Sequence, residues 1–383
     1  MKLSILCCAL SLLQAVLSGP GAPGSSAEAL HRRNIFYVGG EYVFNATQGG
    51  TILINDQYVE ELTPAGGVKH PYPIVFFHGG GVSGAQWLNK PDGNPGWATY
   101  FLNQGYMVYI LDIWSVGRSS AEDFPAQIIG GTVELVEVAF SAPELYHHYY
   151  QAQFHTQFPG NGSIGDPAFN DFYARFLPLA FSPRIENITR TSTCALLSMI
   201  GPSFLISHSF GGSVGYLTTD GCPTLVKGHV SVEGDSSPYA NYDAGVFGVN
   251  TSSPTRAWGL ADVPIAYDPP VTDPSQLVTT TTGELKYTDG LLSQYPCIEQ
   301  ATSPPPRKLA NISQVPVLFL TTQASVHVLY DQCLVQFLKQ AGVIVDWILL
   351  AQVGIKGNGH FSMLEKNSDQ IAGVILKWLL GKE

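Results

Sequence analysis

The stretch Pro202-Ser203-Phe204-Leu205-Ile206-Ser207-His208-Ser209-Phe210-Gly211-Gly212-Ser213-Val214-Gly215 decides the fold. Phe204-Leu205-Ile206 is a short apolar run and predicts a buried strand. The small residues Gly211, Gly212, Ser213 and Gly215 predict a helix packed closely behind it. Ser209 then sits at the apex of a very tight turn. Hydrolases use such a strand–turn–helix to hold a serine hydroxyl clear of the backbone. The positions two before and two after the serine must be small, because backbone passes close to backbone there. They are Ser207 and Gly211. Glycine is usual at both, so Ser207 departs from the pattern. Alone, the five residues could be an ordinary Ser/Gly loop. The reading stands on partners elsewhere in the chain.

Working outward, other apolar runs end in chemically active residues. Pro73–Phe77 leads into His78-Gly79-Gly80-Gly81, and Met107–Leu111 ends at Asp112. His229–Val232 ends at Glu233. Val315–Leu320 and Val345–Leu350 are the last two runs, and His360 lies just beyond the second. Runs apolar throughout predict strands buried on both faces. The segment from Phe36 to Val59 alternates instead, as paired strands do. Trp97–Gln104 and Asp369–Leu380 have helical patterns, with Gly105 as a stop for the first. Buried strands alternating with helices predict an α/β fold with a mostly parallel central sheet and helices on both faces. Sites in such sheets lie at the carboxyl ends of strands. Two insertions leave from those ends, at about 119–190 and 235–310, and are expected to form a cap over the site. The first is rich in aromatic residues.

The chain has 383 residues, 45% of them hydrophobic, enough for one large domain. Lys2 and the apolar run Leu3–Leu17 predict a signal peptide over 1–18, too short for a stable membrane span. Residues 19–33 read as a flexible segment that could be removed as a propeptide after Arg32-Arg33, leaving one domain over 34–383. Five N-x-Ser/Thr sequons, at Asn45, Asn161, Asn187, Asn250 and Asn311, exceed the roughly two expected by chance and fit a secreted fungal glycoprotein. Cys194, Cys222, Cys297 and Cys333 remain after the leader and predict two disulfides. Three pairings are possible. Cys194–Cys222 with Cys297–Cys333 is favoured, because the first would join the segments flanking the Ser209 unit. A net charge of −11 with only 13% charged residues argues against a nucleic-acid partner and against anionic membranes. No Cys/His spacing suggests a metal, and no cofactor is expected.

A serine hydroxyl needs a base, usually histidine, and the histidine needs a carboxylate to fix its tautomer. His360, in Gly357-Asn358-Gly359-His360-Phe361, is the candidate base, with His327 as rival. His78 reads as a loop anchor and His208 is expected to point away along its strand. His147, His148 and His155 belong to the aromatic insertion, as cap surface or cap core. Glu233 is the candidate acid, 24 residues after Ser209 and so on a neighbouring strand end. Asp235 is the runner-up. The loop 321–327 holds no carboxylate, and Asp331 already falls in a helical pattern. Phe210 N–H and the loop Gly79-Gly80-Gly81 are candidate oxyanion donors.

Together these residues resemble the α/β-hydrolase superfamily, over most of 34–383. More narrowly, His78-Gly79-Gly80-Gly81, Pro91-Asp92-Gly93-Asn94-Pro95-Gly96-Trp97, Gly105-Tyr106-Met107-Val108-Tyr109, Gly117-Arg118-Ser119 and Val230-Ser231-Val232-Glu233 resemble a branch of secreted bacterial and fungal esterases. The order serine, acid, histidine is that of the superfamily. The resemblance implies a Ser209–Glu233–His360 triad and oxyanion donors at Gly80 and Phe210. It also implies a homodimer in many members. The expected function is cleavage of a small-molecule carboxylic ester. Lactone hydrolysis or acyl transfer with the same residues is the alternative, and a catalytically silent binding protein the lesser one.

Overall fold

The structure is a computed structural model that describes residues 27–119, 121, 131–178, 180, 182–234, 237–243, 248–250, 255–282 and 296–383. The leader expected over 1–18 and Asp235 lie outside the described residues.

Eight strands form the central sheet: β1 (His31–Asn45), β2 (Gly50–Pro64), β3 (Ile74–Phe77), β4 (Val108–Leu111), β5 (Ser203–His208), β6 (Val226–Val232), β7 (Val317–Thr321) and β8 (Val345–Leu349). Their order is β1-β2-β4-β3-β5-β6-β7-β8. The β1–β2 and β2–β4 pairs are antiparallel, and the rest of the sheet is parallel. The fold is that of an α/β hydrolase, as the sequence predicted. β3, β4, β5 and β7 are buried at every residue, which is why their centres are continuous apolar runs rather than alternating.

Six helices of eight residues or more flank the sheet among the described residues. They are α1 (Trp97–Gln104), α2 (Pro167–Ala174), α3 (Pro183–Ile200), α4 (Phe210–Gly221), α5 (Asp331–Gln340) and α6 (Ser368–Leu380). Gly105 ends α1 in the left-handed conformation, φ 97°, where a side chain would be strained. One face of the sheet packs with α1 and α6 through Phe76, Trp87, Trp97, Phe101 and Ile375. The opposite face packs with α3 and α4 through Val75, Phe77, Leu196, Leu197 and Val214.

Two boundaries differ from expectation. In β1, Arg32 and Arg33 pair with Thr63 and Leu62 of β2, so they are not in a flexible segment, and Arg33 Nε forms an ion pair with Glu60 Oε1 at 2.9 Å. The long β2 supplies backbone partners that the polar sequence 31–33 does not advertise. The first insertion also ends before 190. Ser182 caps the Arg184 N–H and Pro183 takes the first turn, so α3 starts there and serves as the crossover to β5. In the second insertion, Cys297 packs with Val326, Val328 and Tyr330 of the turn that carries His327. Tyr239, Trp258 and Leu260 pack with Tyr216, Leu217 and Phe337 of α4 and α5.

Cys194 of α3 is bonded to Cys222 after α4, and Cys297 of the second insertion to Cys333 of α5, with Cα separations of 5.9 and 5.0 Å. This is the favoured pairing. Of the sequon asparagines, Asn161 and Asn187 are exposed, while Asn45 and Asn311 are half-buried. Asn311 Nδ2 donates to the Asp220 carbonyl at 2.8 Å. The side chain of Asn250 lies outside the described residues.

Candidate active site

Ser209 joins β5 to α4 with φ 51° and ψ −127°. A non-glycine residue in that region is strained and persists only where the surroundings enforce it. Neighbouring backbone supplies the enforcement. A Cβ on Gly211 would lie 2.6 Å from the His78 carbonyl oxygen and 2.8 Å from that of Phe77, so no side chain fits. Ser207 is tolerated for a different reason. Its Oγ lies 2.7 Å from His229 Nε2, which gives the hydroxyl a buried partner. Burial pushes His229 down to about 3, so the imidazole is neutral and suited to that bond.

His360 and Glu233 are brought together at the same sheet edge. His360 Nδ1 lies 2.8 Å from Glu233 Oε2. Both are buried, at 3% and 0% exposure. Glu233 follows β6 with φ 45°. Its Oε1 accepts from Thr322 N at 2.7 Å and from Thr322 Oγ1 at 2.6 Å. Burial pushes the Glu233 carboxyl up, while the charge of His327 and the hydroxyls of Thr322 and Ser325 pull it down. Burial, with help from His327, holds His360 well below the ordinary histidine value, so it is an unprotonated base at neutral pH. Ser209 Oγ donates no hydrogen bond to His360 in this structure. Catalytic hydrogen bonds are often long in the unliganded state.

The glycine loop after β3 borders Ser209. A Cβ on Gly79 would lie 2.7 Å from His208 Nδ1 and 3.2 Å from Ser209 Cβ, so this close approach requires glycine. Gly79 N–H donates to Gln86 Oε1 at 3.1 Å. The Gly80 N–H has no acceptor among the described residues. Phe210 is the first residue of α4.

The remaining histidines separate by role. His78 Nε2 accepts from Ile113 N at 2.9 Å and its Nδ1 faces the Gly79 carbonyl, a loop anchor linking the ends of β3 and β4. Asp112 is bonded by Arg118 through Nε at 2.7 Å and Nη2 at 3.0 Å. Despite burial, Arg118 and His78 hold its carboxyl low. His208 does not point away. Its Nε2 lies 3.0 Å from the His360 carbonyl and its ring centroid 4.5 Å from that of His360. Strand alternation puts His208 on the same face as Ile206, where its ring meets Phe361. His327, the rival base, lies beside the pair, with its ring stacked on His360 at 4.3 Å.

The first insertion meets the site with aromatic rings. Phe140 stacks on His360 at 5.5 Å and on Phe176 at 6.2 Å, and meets Phe361 edge-on at 5.1 Å. It is carried by a π-helical turn, Glu137–Ser141, a geometry common at functional sites and without a sequence signature. Leu177 N–H donates to the Gly81 carbonyl at 2.7 Å and ties the insertion to the glycine loop.

A buried ionic clamp fixes the loop that carries His360. His155 lies 2.7 Å from Glu144 through Nδ1 and 2.7 Å from Glu365 through Nε2. Glu365 also accepts from Gly359 N at 3.0 Å and Asn358 Nδ2 at 2.7 Å. Burial alone would lower His155, but the bonds to Glu144 and Glu365 outweigh it and push it up to about 9. The folded value is raised, so the contribution is fully present below the unfolded value near 6.5 and is lost as pH rises through about 9. We expect wild type to lose about 3 kcal/mol more stability than His155→Gln across that window. Urea unfolding of both proteins at pH 6.5 and 9.5 measures it; equal losses would remove the clamp from the account.

Glu233, His327 and His360 form the one group of three potential metal ligands among the described residues, their polar atoms within 4.8 Å of one another. Within this group His360 Nδ1 and Glu233 Oε2 are bonded to each other.

A strained serine at the carboxyl edge of a parallel sheet, with a bonded histidine and carboxylate from later strand ends, defines hydrolase architecture. The chain belongs to the alpha/beta hydrolase family, whose model matches residues 74–374. It is 36% identical over 378 residues to a protein named probable secreted lipase phiG from a fungal species, strain ATCC 74256, a match covering 98% of this chain and 97% of that one. A solved structure described as a novel bacterial esterase superposes with a TM-score of 0.59 at 18% identity, covering 94% of this chain and 99% of that chain. At that identity the likeness shows the fold.

Proposed function

We propose that the protein is a secreted serine hydrolase that cleaves small carboxylic esters through an acyl-enzyme on Ser209. The observation that carries this reading is the buried 2.8 Å bond between His360 and Glu233 at the edge where Ser209 is held at φ 51°. His360 takes the proton of Ser209 Oγ as that oxygen attacks the ester carbonyl carbon. Glu233 keeps the Nδ1–H tautomer and stabilises the imidazolium. The N–H groups of Gly80 and Phe210 receive the developing oxyanion. His360 then gives its proton to the leaving alcohol. Water, deprotonated by His360, attacks the acyl carbon, and the acid departs while Ser209 regains its proton.

Phe140, Phe176 and Phe361 around His360 favour an uncharged, apolar acyl or alcohol group. Secretion is supported by two disulfides and by the name of the 36% identical relative. Among the described residues no helix is long and apolar enough to cross a membrane.

A panel of p-nitrophenyl esters and lactones, with and without an added acceptor alcohol, tests the reaction class. Free acid as the main product with the alcohol present supports hydrolysis. Predominant transfer to the alcohol would replace it with acyl transfer, and turnover confined to lactones would make the enzyme a lactonase.

A further inference from the structure

A second histidine–carboxylate pair lies against the first. His327, in the turn Val326–Leu329, and Asp331, the first residue of α5, are bonded Nδ1 to Oδ1 at 3.0 Å. Both are buried, at 5% and 1% exposure. Asp331 Oδ2 accepts from Thr321 Oγ1 at 2.7 Å, and that hydroxyl accepts from Trp347 Nε1 at 3.1 Å. The pair is thereby fixed to the end of β7 and the middle of β8. The His327 ring lies flat on the His360 ring, with 4.3 Å between centroids and 7° between planes.

Two carboxylates and two imidazoles therefore share one water-poor site. Buried charges persist only when paired. The triad reading requires Glu233 ionised and His360 neutral at the start of the reaction. Burial and the Glu233 charge both drive the Asp331 carboxyl upward, so Asp331 stays ionised only beside a cation. His327, bonded to Asp331 and packed beside Glu233, is the basic group within reach.

We propose that His327 and Asp331 are positioning residues for His360, with His327 a resident imidazolium that Asp331 holds flat against the catalytic ring. The cation offsets Glu233 and opposes protonation of His360 before the reaction, leaving the base active in mildly acid solution. This inference rests on the triad reading. The groups facing His360 are Glu233 after β6, His327 from its turn, and His208 from the end of β5; Phe140 and Phe361 are uncharged. Burial holds His208 neutral, and the neighbouring His360 and His327 act in the same direction. Glu233 and His327 are thus the two charges in direct contact with His360, acting in opposite senses, and the Asp331 carboxylate lies behind His327.

The test is the pH dependence of the rate at which a fluorophosphonate labels Ser209 in the full secreted protein. The wild-type acid limb is expected below the ordinary histidine value of about 6.5. His327→Gln is expected to move it up by about one pH unit or more, a roughly tenfold slower labelling on the limb. Asp331→Asn removes the carboxylate that retains the proton and is expected to move it the same way by less. A limb that stays put or moves down in these variants, whatever the plateau rate, overturns the proposal, because side chains that merely fill space do not set it. A wild-type limb above about 6.5 also overturns it. Absence of any label on wild-type Ser209 counts instead against the triad reading.

Discussion

Ser209→Ala is expected to lower ester hydrolysis by about 10⁴-fold or more while the protein stays folded. The hydroxyl is the only atom group removed. The φ 51° turn is enforced by the backbone of Phe77 and His78 around Gly211, not by the hydroxyl, which makes no hydrogen bond to His360 in this structure. Alanine keeps the Cβ that packs beside Gly79. Steady-state rates on a p-nitrophenyl ester, with a melting curve as control, measure the effect. Activity above about one per cent of wild type would show that another group does the chemistry, since loss of a triad nucleophile costs far more.

Glu233→Gln is expected to cost about 10³- to 10⁴-fold in kcat with little change in KM. The reason is tautomeric. Oε1 of Glu233 accepts both the N–H and the hydroxyl of Thr322, so the carbonyl of a glutamine is drawn to that side. Its NH₂ group then faces His360 Nδ1 and forces that nitrogen to accept. The ring proton moves to Nε2, where it can no longer take one from Ser209. A loss under about tenfold would remove Glu233 from the role of acid.

The Ser209 unit was legible because its constraints are local. Gly211 has no room for a side chain, and apolar residues on either side of the turn report a strand and a helix. Glu233 was legible for a related reason. β5 and β6 are adjacent, and one helix plus one strand separates their ends, so chain distance translates directly into spatial proximity. The favoured cysteine pairing rested on Cys194 and Cys222 flanking the Ser209 unit. The polar surroundings of His360 were not legible. His208 meets the His360 carbonyl because the loop after β8 folds back onto the face that His208 shares with Ile206. His327 and Asp331 are four residues apart, a spacing too common to mark a site. Their importance comes from β7 ending beside β6, which places Thr322 and His327 against Glu233. The two insertions looked alike by position, yet only the first delivers described side chains to His360. Phe140 does so from a π-helical turn that leaves no periodic trace.

The most direct measurement is to react the secreted protein with a fluorophosphonate and map the labelled peptide by mass spectrometry. The account predicts one label per chain, on Ser209, with the label absent from Ser209→Ala. No label on folded protein, or a label on another residue, would contradict an activated Ser209 and leave the fold without the chemistry proposed for it.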